Sequence, residues 1–197
     1  MTGADEILVV DGGSSDRTIA VAERVGARVI IAPRGRGIQL RAGAEAARGD
    51  WLLFLHADTL PSRGWHEAVE AHIGARPDRA ACFRFRLSAR AWQARAIEKA
   101  VAARVRLLGL PYGDQGLLIS RRLYRQVGGY RDLPLMEDVD LVRRVGRRRL
   151  IMLDADAFTS ATRWRRDGWL RRSARNLACL GLYHLGVSPE RIARLYG

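Results

Sequence analysis

The sequence predicts an α/β fold: a mostly parallel mixed sheet flanked by helices, with further helices at the C-terminal end. Three observations predict it. Short apolar runs at Glu6–Val10 (EILVV), Arg28–Ala32 (RVIIA) and Trp51–Leu55 (WLLFL) have the length and composition of buried strands. Amphipathic stretches of about ten residues separate them, the signature of βαβ units. The last third of the chain is helical in pattern, basic first and then apolar.

The elements follow in order. The first run stops at Asp11-Gly12-Gly13, a turn signal, and Ser14 and Ser15 precede, and can cap, a helical pattern with Ile19, Ala20, Ala22 and Val25 on one face. The second run is closed by Pro33, and a loop rich in glycine and arginine spans Arg34–Gly37. A helix is expected over Ile38–Ala47, with Gly49 as its C-cap. The third run leads directly into His56-Ala57-Asp58-Thr59. Beyond it the sequence predicts a helix at Trp65–Ile73, an alternating strand at Ala81–Leu87 and a long arginine-rich helix at Ala91–Leu108. A strand at Gly116–Ser120, a helix from Arg121, a short strand at Leu150–Leu153 and a helix at Trp169–Leu185 complete the pattern. A closing helix starts near Ser188-Pro189-Glu190, with proline in its first turn.

Composition bounds the function. The chain has 197 residues, 48% of them hydrophobic, which suits one domain with a packed core. The net charge is +13, carried almost wholly by arginine, with Lys99 the sole lysine. Such a balance suits an anionic partner: a sugar nucleotide, an acidic lipid surface or a nucleic acid. No helix-turn-helix, RRM or zinc-finger signature is present, which argues against a specific nucleic-acid binder. Cys82 and Cys179 are isolated in apolar contexts, so neither a zinc site nor a disulfide framework is expected. The segment MTGADEILVV does not read as a secretory signal, and no apolar run is long enough to span a bilayer. A cytoplasmic protein is expected, peripheral contact with the inner membrane face being an added option.

Four segments carry candidate chemistry. Asp11 ends a buried strand and is followed by glycines that let backbone approach a ligand; the same residues serve equally as a strand-to-helix turn. Asp58 also ends a buried strand, where a carboxylate is costly unless it binds something, and a divalent cation with phosphate ligands would suit it. Its alternative is an N-cap for a helix near Pro61. Glu137, Asp138 and Asp140 put three acids into a basic chain. They read either as a general base with a neighbour that tunes it or as favourable charges at a helix start. Asp114 and Gln115, in Pro111–Gly116, suit hydroxyl recognition or a plain turn.

In this order, VVDGGSSDRT, RGRGIQLRAGAEAARGDWLLFLHADT and VGGYRDLPLMEDVDLVRR resemble family 2 glycosyltransferases, which have the GT-A, Rossmann-like fold. The nearest likeness is a bacterial subgroup with LHADT in place of LDADD, together with GDQG, MEDVDL, a TRWRRDGW-like segment and an LGVSPERIARLYG-like tail. The resemblance implies transfer of a sugar from a nucleotide-diphosphate sugar to an acceptor hydroxyl, with inversion and a divalent metal, Mg²⁺ or Mn²⁺. It gives Asp138 the role of catalytic base, with Glu137 beside it, and gives Asp58 the metal. Asp11, Gly12, Ser14, Arg36, Gly37, Ala57 and Asp58 would bind the nucleotide sugar. Asp114, Gln115, Arg163 and Trp164 would line the acceptor side.

Residues 1–60 would form a nucleotide-binding part, 61–160 the acceptor and catalytic part, and 161–197 C-terminal helices of one domain. The sequence departs from the family in two places. His56 replaces the first acid of the DxD motif, and a strand–helix unit of about 30 residues that precedes Glu6–Asp11 in the family has no counterpart. A missing strand would leave unpaired edges and invite a homo-oligomer. Arginines and tryptophans over Arg163–Arg175 suit either a membrane surface with a lipid-linked acceptor or a solvated helix face. A nucleotidyltransferase and a truncated, inactive relative acting as a subunit are the rival readings.

Overall fold

The computed structural model describes residues 4–196, apart from the side chain of Arg163. Seven strands and nine α-helices follow one another along the described residues. They are β1 (Leu8–Asp11), α1 (Thr18–Arg24), β2 (Arg28–Ile31), α2 (Arg36–Ala46), β3 (Trp51–Phe54) and β4 (Thr59–Pro61). Then come α3 (Trp65–Ala75), β5 (Ala80–Leu87), α4 (Trp92–Leu108), β6 (Leu117–Ser120) and α5 (Arg121–Gln126). The last are α6 (Glu137–Val145), β7 (Leu150–Thr159), α7 (Thr162–Asp167), α8 (Trp169–His184) and α9 (Pro189–Tyr196).

The α/β class, the mixed sheet and the flanking helices are as the sequence predicts. β1 and β2 form a parallel pair of their own, and a five-stranded sheet runs in the order β3-β6-β5-β7-β4. Within that sheet only β5 and β7 are parallel; β3–β6, β5–β6 and β4–β7 are antiparallel. β4 follows β3 after a short turn, whereas β6 follows β5 by way of the long helix α4 and returns antiparallel to it. Among the described residues β1 pairs on one side only.

Alternation along β6 explains the layering. Leu117 and Ile119 face one side, with Leu52, Tyr130, Val139, Val142 and Val145, so α6 covers that face. Leu118 faces the other side with Phe83, Leu153, Ala155 and Val69, where α3 packs. Burying both faces is why these strands read as continuous apolar runs.

Three local expectations are corrected. β7 extends to Thr159 rather than Leu153, because its alternation continues through Asp154 and Asp156, whose carboxylates meet Arg84 on β5. Asp58 does not cap a helix near Pro61: Thr59–Pro61 is a strand paired with β7, and α3 begins only after Gly64. The serines after Asp11 do not cap α1 either. Arg17 occupies the N-cap position without a side-chain cap bond, and Asp16, just ahead of it, accepts from the Thr18 amide (2.9 Å) and the Thr18 hydroxyl (2.5 Å).

Candidate functional site

Register places the site. Phe54, the last residue of β3, pairs with Leu117, the first of β6. The exit of β3 (His56–Asp58) therefore lies beside the entry loop of β6 (Tyr112–Gly116). Two glycines permit this approach. A Cβ on Gly113 would lie 2.2 Å from His56 Nε2, and one on Gly116 (φ +62°) would lie 2.8 Å from Leu55 Cδ2. A third glycine, Gly37 in the first turn of α2, sits where a Cβ would come 2.1 Å from the Arg131 carbonyl oxygen. That contact seats the start of α2, and so Arg36, against the chain leading into α6.

The start of α6 supplies the acids. Met136 precedes it in the left-handed region (φ 64°), the one non-glycine there among the described residues. A conformation costing on the order of 1 kcal/mol thus turns Glu137 and Asp138 inward. Asp138 Oδ2 accepts the Gly113 N–H (2.6 Å), and Oδ1 accepts the Val139 N–H (2.7 Å), tying the carboxylate to the β6 entry loop. Glu137 is 0% exposed. Arg36 Nε lies 2.8 Å from its Oε1, an ion pair whose N–H is not aligned as a hydrogen bond, and neither carboxylate oxygen accepts one. Burial, then repulsion from Asp138, pushes the Glu137 carboxyl up to about 7, against the pull of Arg36. Asp114 behaves similarly. Its Oδ1 is buried with no hydrogen-bond partner, and burial raises it to about 6. Arg104 and Arg36 oppose that rise, while Asp138 and Asp58 add to it, so Asp58, Asp114 and Asp138 share one electrostatic environment.

Arg36 joins this acid corner to an open depression. Its Nη2 lies 3.0 Å from His56 Nε2, which accepts that N–H if the ring proton is on Nδ1. Arg36 also lines a depression of about 550 Å³ with Gly12, Gly13, Ser14, Arg34, Gly35, Gln39 and Pro134. Asp11 sits behind that surface and turns its carboxylate onto its own loop. It accepts from the Ser14 hydroxyl, the Gly13 N–H (2.7 Å) and the Ser14 N–H (2.8 Å). The Ser14 hydroxyl, then the Ser14 amide, hold the Asp11 carboxyl below its usual range. Arg34 braces the same turn through the Gly12 carbonyl (3.2 Å), and Gln39 holds the Val10 carbonyl (3.0 Å).

Not every expected residue reaches the site. Gln115 is fully buried; its amide donates to the Phe83 carbonyl (3.0 Å) and so shapes the loop from behind. Trp164 is 9% exposed and packs with Phe85, Leu87, Ala94 and Ala161, stacked on Trp169 at 6.2 Å. The side chain of Arg163 lies outside the described residues. Ala57 is exposed between His56 and Asp58. Asp140 is taken up by Arg144 (2.5 Å) and Arg131 (3.3 Å), one turn away from the acid corner. The sequence reading missed Arg104, whose guanidinium stacks over Tyr112 at 3.5 Å and bonds the Leu110 carbonyl (2.8 Å). One arginine on an arginine-rich helix carries no signal that distinguishes it.

Asp58 is exposed, and among the described residues no group of three or more His, Cys, Asp or Glu side chains could hold a metal ion. His56 meets the Arg36 guanidinium through Nε2. The residues present thus fit a hard cation on one carboxylate, with phosphate and water as its other ligands, the arrangement Mg²⁺ or Mn²⁺ adopts with nucleotides.

Comparisons with known proteins bear on the family and the fold. The sequence profile described as Glycosyl transferase family 2 matches residues 2–126. An uncharacterized glycosyltransferase of Rickettsia bellii is 35% identical over 68 residues, covering 34% of this chain and 23% of that protein. The match thus spans about a quarter of the relative's length. Among solved structures, S. aureus TarS 1–349 in complex with UDP has a TM-score of 0.60 at 15% identity, covering 79% of this chain and 51% of that one. Glucosyl-3-phosphoglycerate synthase from Mycobacterium tuberculosis, in complex with Mn²⁺ and UDP-glucose, has a TM-score of 0.51 at 21% identity, covering 79% and 58%. At these identities the structures share the fold.

Proposed function

This chain belongs to glycosyl transferase family 2, and from that premise we propose that it transfers a sugar from a nucleoside-diphosphate sugar to an acceptor hydroxyl, with inversion. The observation that carries the reading is the position of Arg36. It forms part of the wall of the open depression and stands 2.8 Å from the carboxylate of Glu137, next to Asp138. A donor lying in that depression would have its diphosphate within reach of Arg34 and Arg36 and its reacting carbon toward Asp138.

The chain's residues divide the work. The Asp11–Ser14 turn, Arg34, Arg36 and Gly37 shape the nucleotide side, with backbone where side chains would crowd it. Ala57 and Asp58 border the diphosphate. A Mg²⁺ or Mn²⁺ ion bound by Asp58 would neutralise charge developing on the departing diphosphate. UDP-sugar and Mn²⁺ in the mycobacterial synthase support that choice of partner. Asp138 takes the proton from the acceptor hydroxyl. The hydroxyl oxygen bonds to the anomeric carbon from the face opposite the leaving group, and the nucleoside diphosphate departs with the bonding electrons. Glu137, driven toward its neutral form by burial and by Asp138, limits the negative charge beside that base. Asp114 faces the same corner and would meet the acceptor, while Gln115 positions the loop that carries it. Residues 1–60 form the donor half of this scheme, 61–160 the acceptor half, and the helices from 161 bear on acceptor access, with a lipid-linked or membrane-surface acceptor the reading their charge favours.

Product analysis tests the proposal. Incubation with a nucleotide sugar and an acceptor mixture should release free nucleoside diphosphate, and Asp138→Asn should stop the release while keeping donor binding. Release of pyrophosphate, or equal loss of binding and turnover in Asp138→Asn, would overturn it.

A further inference from the structure

The helix α8 is apolar on two opposite faces. Its inner face buries Cys179 and Leu180 against the body of the protein, with Ile192 of α9 in the same cluster as Cys179. Its outer face carries Leu170, Ala174, Leu177, Ala178, Gly181 and Leu185, all exposed. Leu170 is 87%, Leu177 62% and Leu185 82% exposed. At 3.6 residues per turn these six positions fall within an arc of roughly 100°. Surface leucines scattered singly need no explanation, whereas a continuous stripe along a helix marks an interaction surface. The tryptophans expected to serve that purpose do not: Trp164 is buried and Trp169, half-buried, stacks on it.

Charge identifies the occupant. Arg171 is exposed at one border of the stripe, followed by Arg175 a turn further along. From Thr162 to Tyr196 the chain carries eight arginines against two acids, Asp167 and Glu190. Asp167 is already taken up by Arg166, Arg172 and Arg175. A second copy docked stripe to stripe would set these arginines against their own symmetry mates. An anionic lipid leaflet would neutralise them and take up the leucines. No helix among the described residues is long and apolar enough to cross a membrane, so α8 would lie along the surface.

We propose that the Leu170–Leu177–Leu185 face of α8 is a peripheral docking surface for an anionic membrane leaflet. The inference deepens the acceptor side of the proposed function and rests on that reading for its purpose, though not for its geometry. Co-sedimentation with phosphatidylcholine vesicles, with and without phosphatidylglycerol, tests it. The protein should bind only the anionic vesicles. Leu170→Ser with Leu177→Ser should lower the partition coefficient at least about tenfold, and Arg171→Gln several-fold, with melting temperatures unchanged because these side chains are exposed. Absence of binding to anionic vesicles would overturn the proposal. So would undiminished binding by the double serine variant, or a concentration-dependent dimer that the variant disperses. Donor binding by the wild type, followed in parallel by thermal shift, separates the two readings: a wild type that binds donor but not anionic vesicles defeats the docking surface alone, and one that binds the vesicles but not donor defeats the transfer reading alone.

Discussion

The two halves of the candidate site treat their carboxylates in opposite ways. On the nucleotide side Asp11 is saturated by its own turn, with two backbone amides and the Ser14 hydroxyl on one carboxylate. On the acid side Glu137 and Asp114 hold buried oxygens that accept no hydrogen bond. The first arrangement lowers a pKa and fixes a loop; the second raises two pKa values and leaves buried oxygens without hydrogen bonds. Buried polar atoms are nearly always paired. The contrast therefore distinguishes a part built to hold shape from a part built to meet something else. It also shows that an aspartate at a strand end is not by that fact a ligand-binding group, since Asp11, at the end of β1, is consumed by the donors of its own turn.

Breaking the acid side should have the largest effect. Asp138→Asn keeps an oxygen to accept the Gly113 N–H, so the fold survives, while turnover should fall about 10²- to 10⁴-fold; rates of nucleoside diphosphate release check it. Next comes the backbone contact that seats Arg36. Gly37→Ala forces a Cβ against the Arg131 carbonyl and should cost about 3 kcal/mol, read as a lower urea midpoint with an unchanged slope.

The pH dependence sharpens the comparison. Glu137 has a folded pKa of about 7 against 4.5 ordinarily, so the folded state binds more protons in that window. Its contribution to stability is complete below about pH 4.5 and is lost as pH rises to about 7, a fall on the order of 2–3 kcal/mol. Glu137→Gln should flatten that fall in urea titrations across the window. Asp11 and Asp167 are depressed, Asp167 to about 2, so their contributions are lost as pH drops below about 4, in a separate range. The smallest effect belongs to the saturated side. Ser14→Ala removes one of the three donors to Asp11 and should lower the melting temperature by only a few degrees, read by thermal denaturation.

Much of this was legible in the residues. Apolar runs announced β1, β2 and β3, and the glycines at 12, 37, 113 and 116 announced turns or close approaches. The resemblance of the ordered motifs to family 2 pointed to Asp58, Glu137 and Asp138 before any geometry. What stayed hidden depends on tertiary contact. The sheet's antiparallel share follows from which short strands meet, and alternation within one strand does not say which neighbour it finds. Met136 gives no sign of a left-handed backbone. Gln115 reads as a polar loop residue until its burial beneath Phe83 is seen, and the RW pair at 163–164 reads as functional until Trp164 is found in the core.

The central claim is that the depression beside Arg36 and Asp58 receives a nucleoside diphosphate. Thermal shift with UDP, GDP, dTDP and their sugars, with and without Mn²⁺, on the wild type and on Asp58→Ala, tests it most directly. The account predicts a rise in melting temperature for one nucleotide that depends on the metal and disappears in Asp58→Ala, since a ligand that binds only the folded state stabilises it. No shift with any nucleotide, or a shift that Asp58→Ala leaves intact, would contradict it.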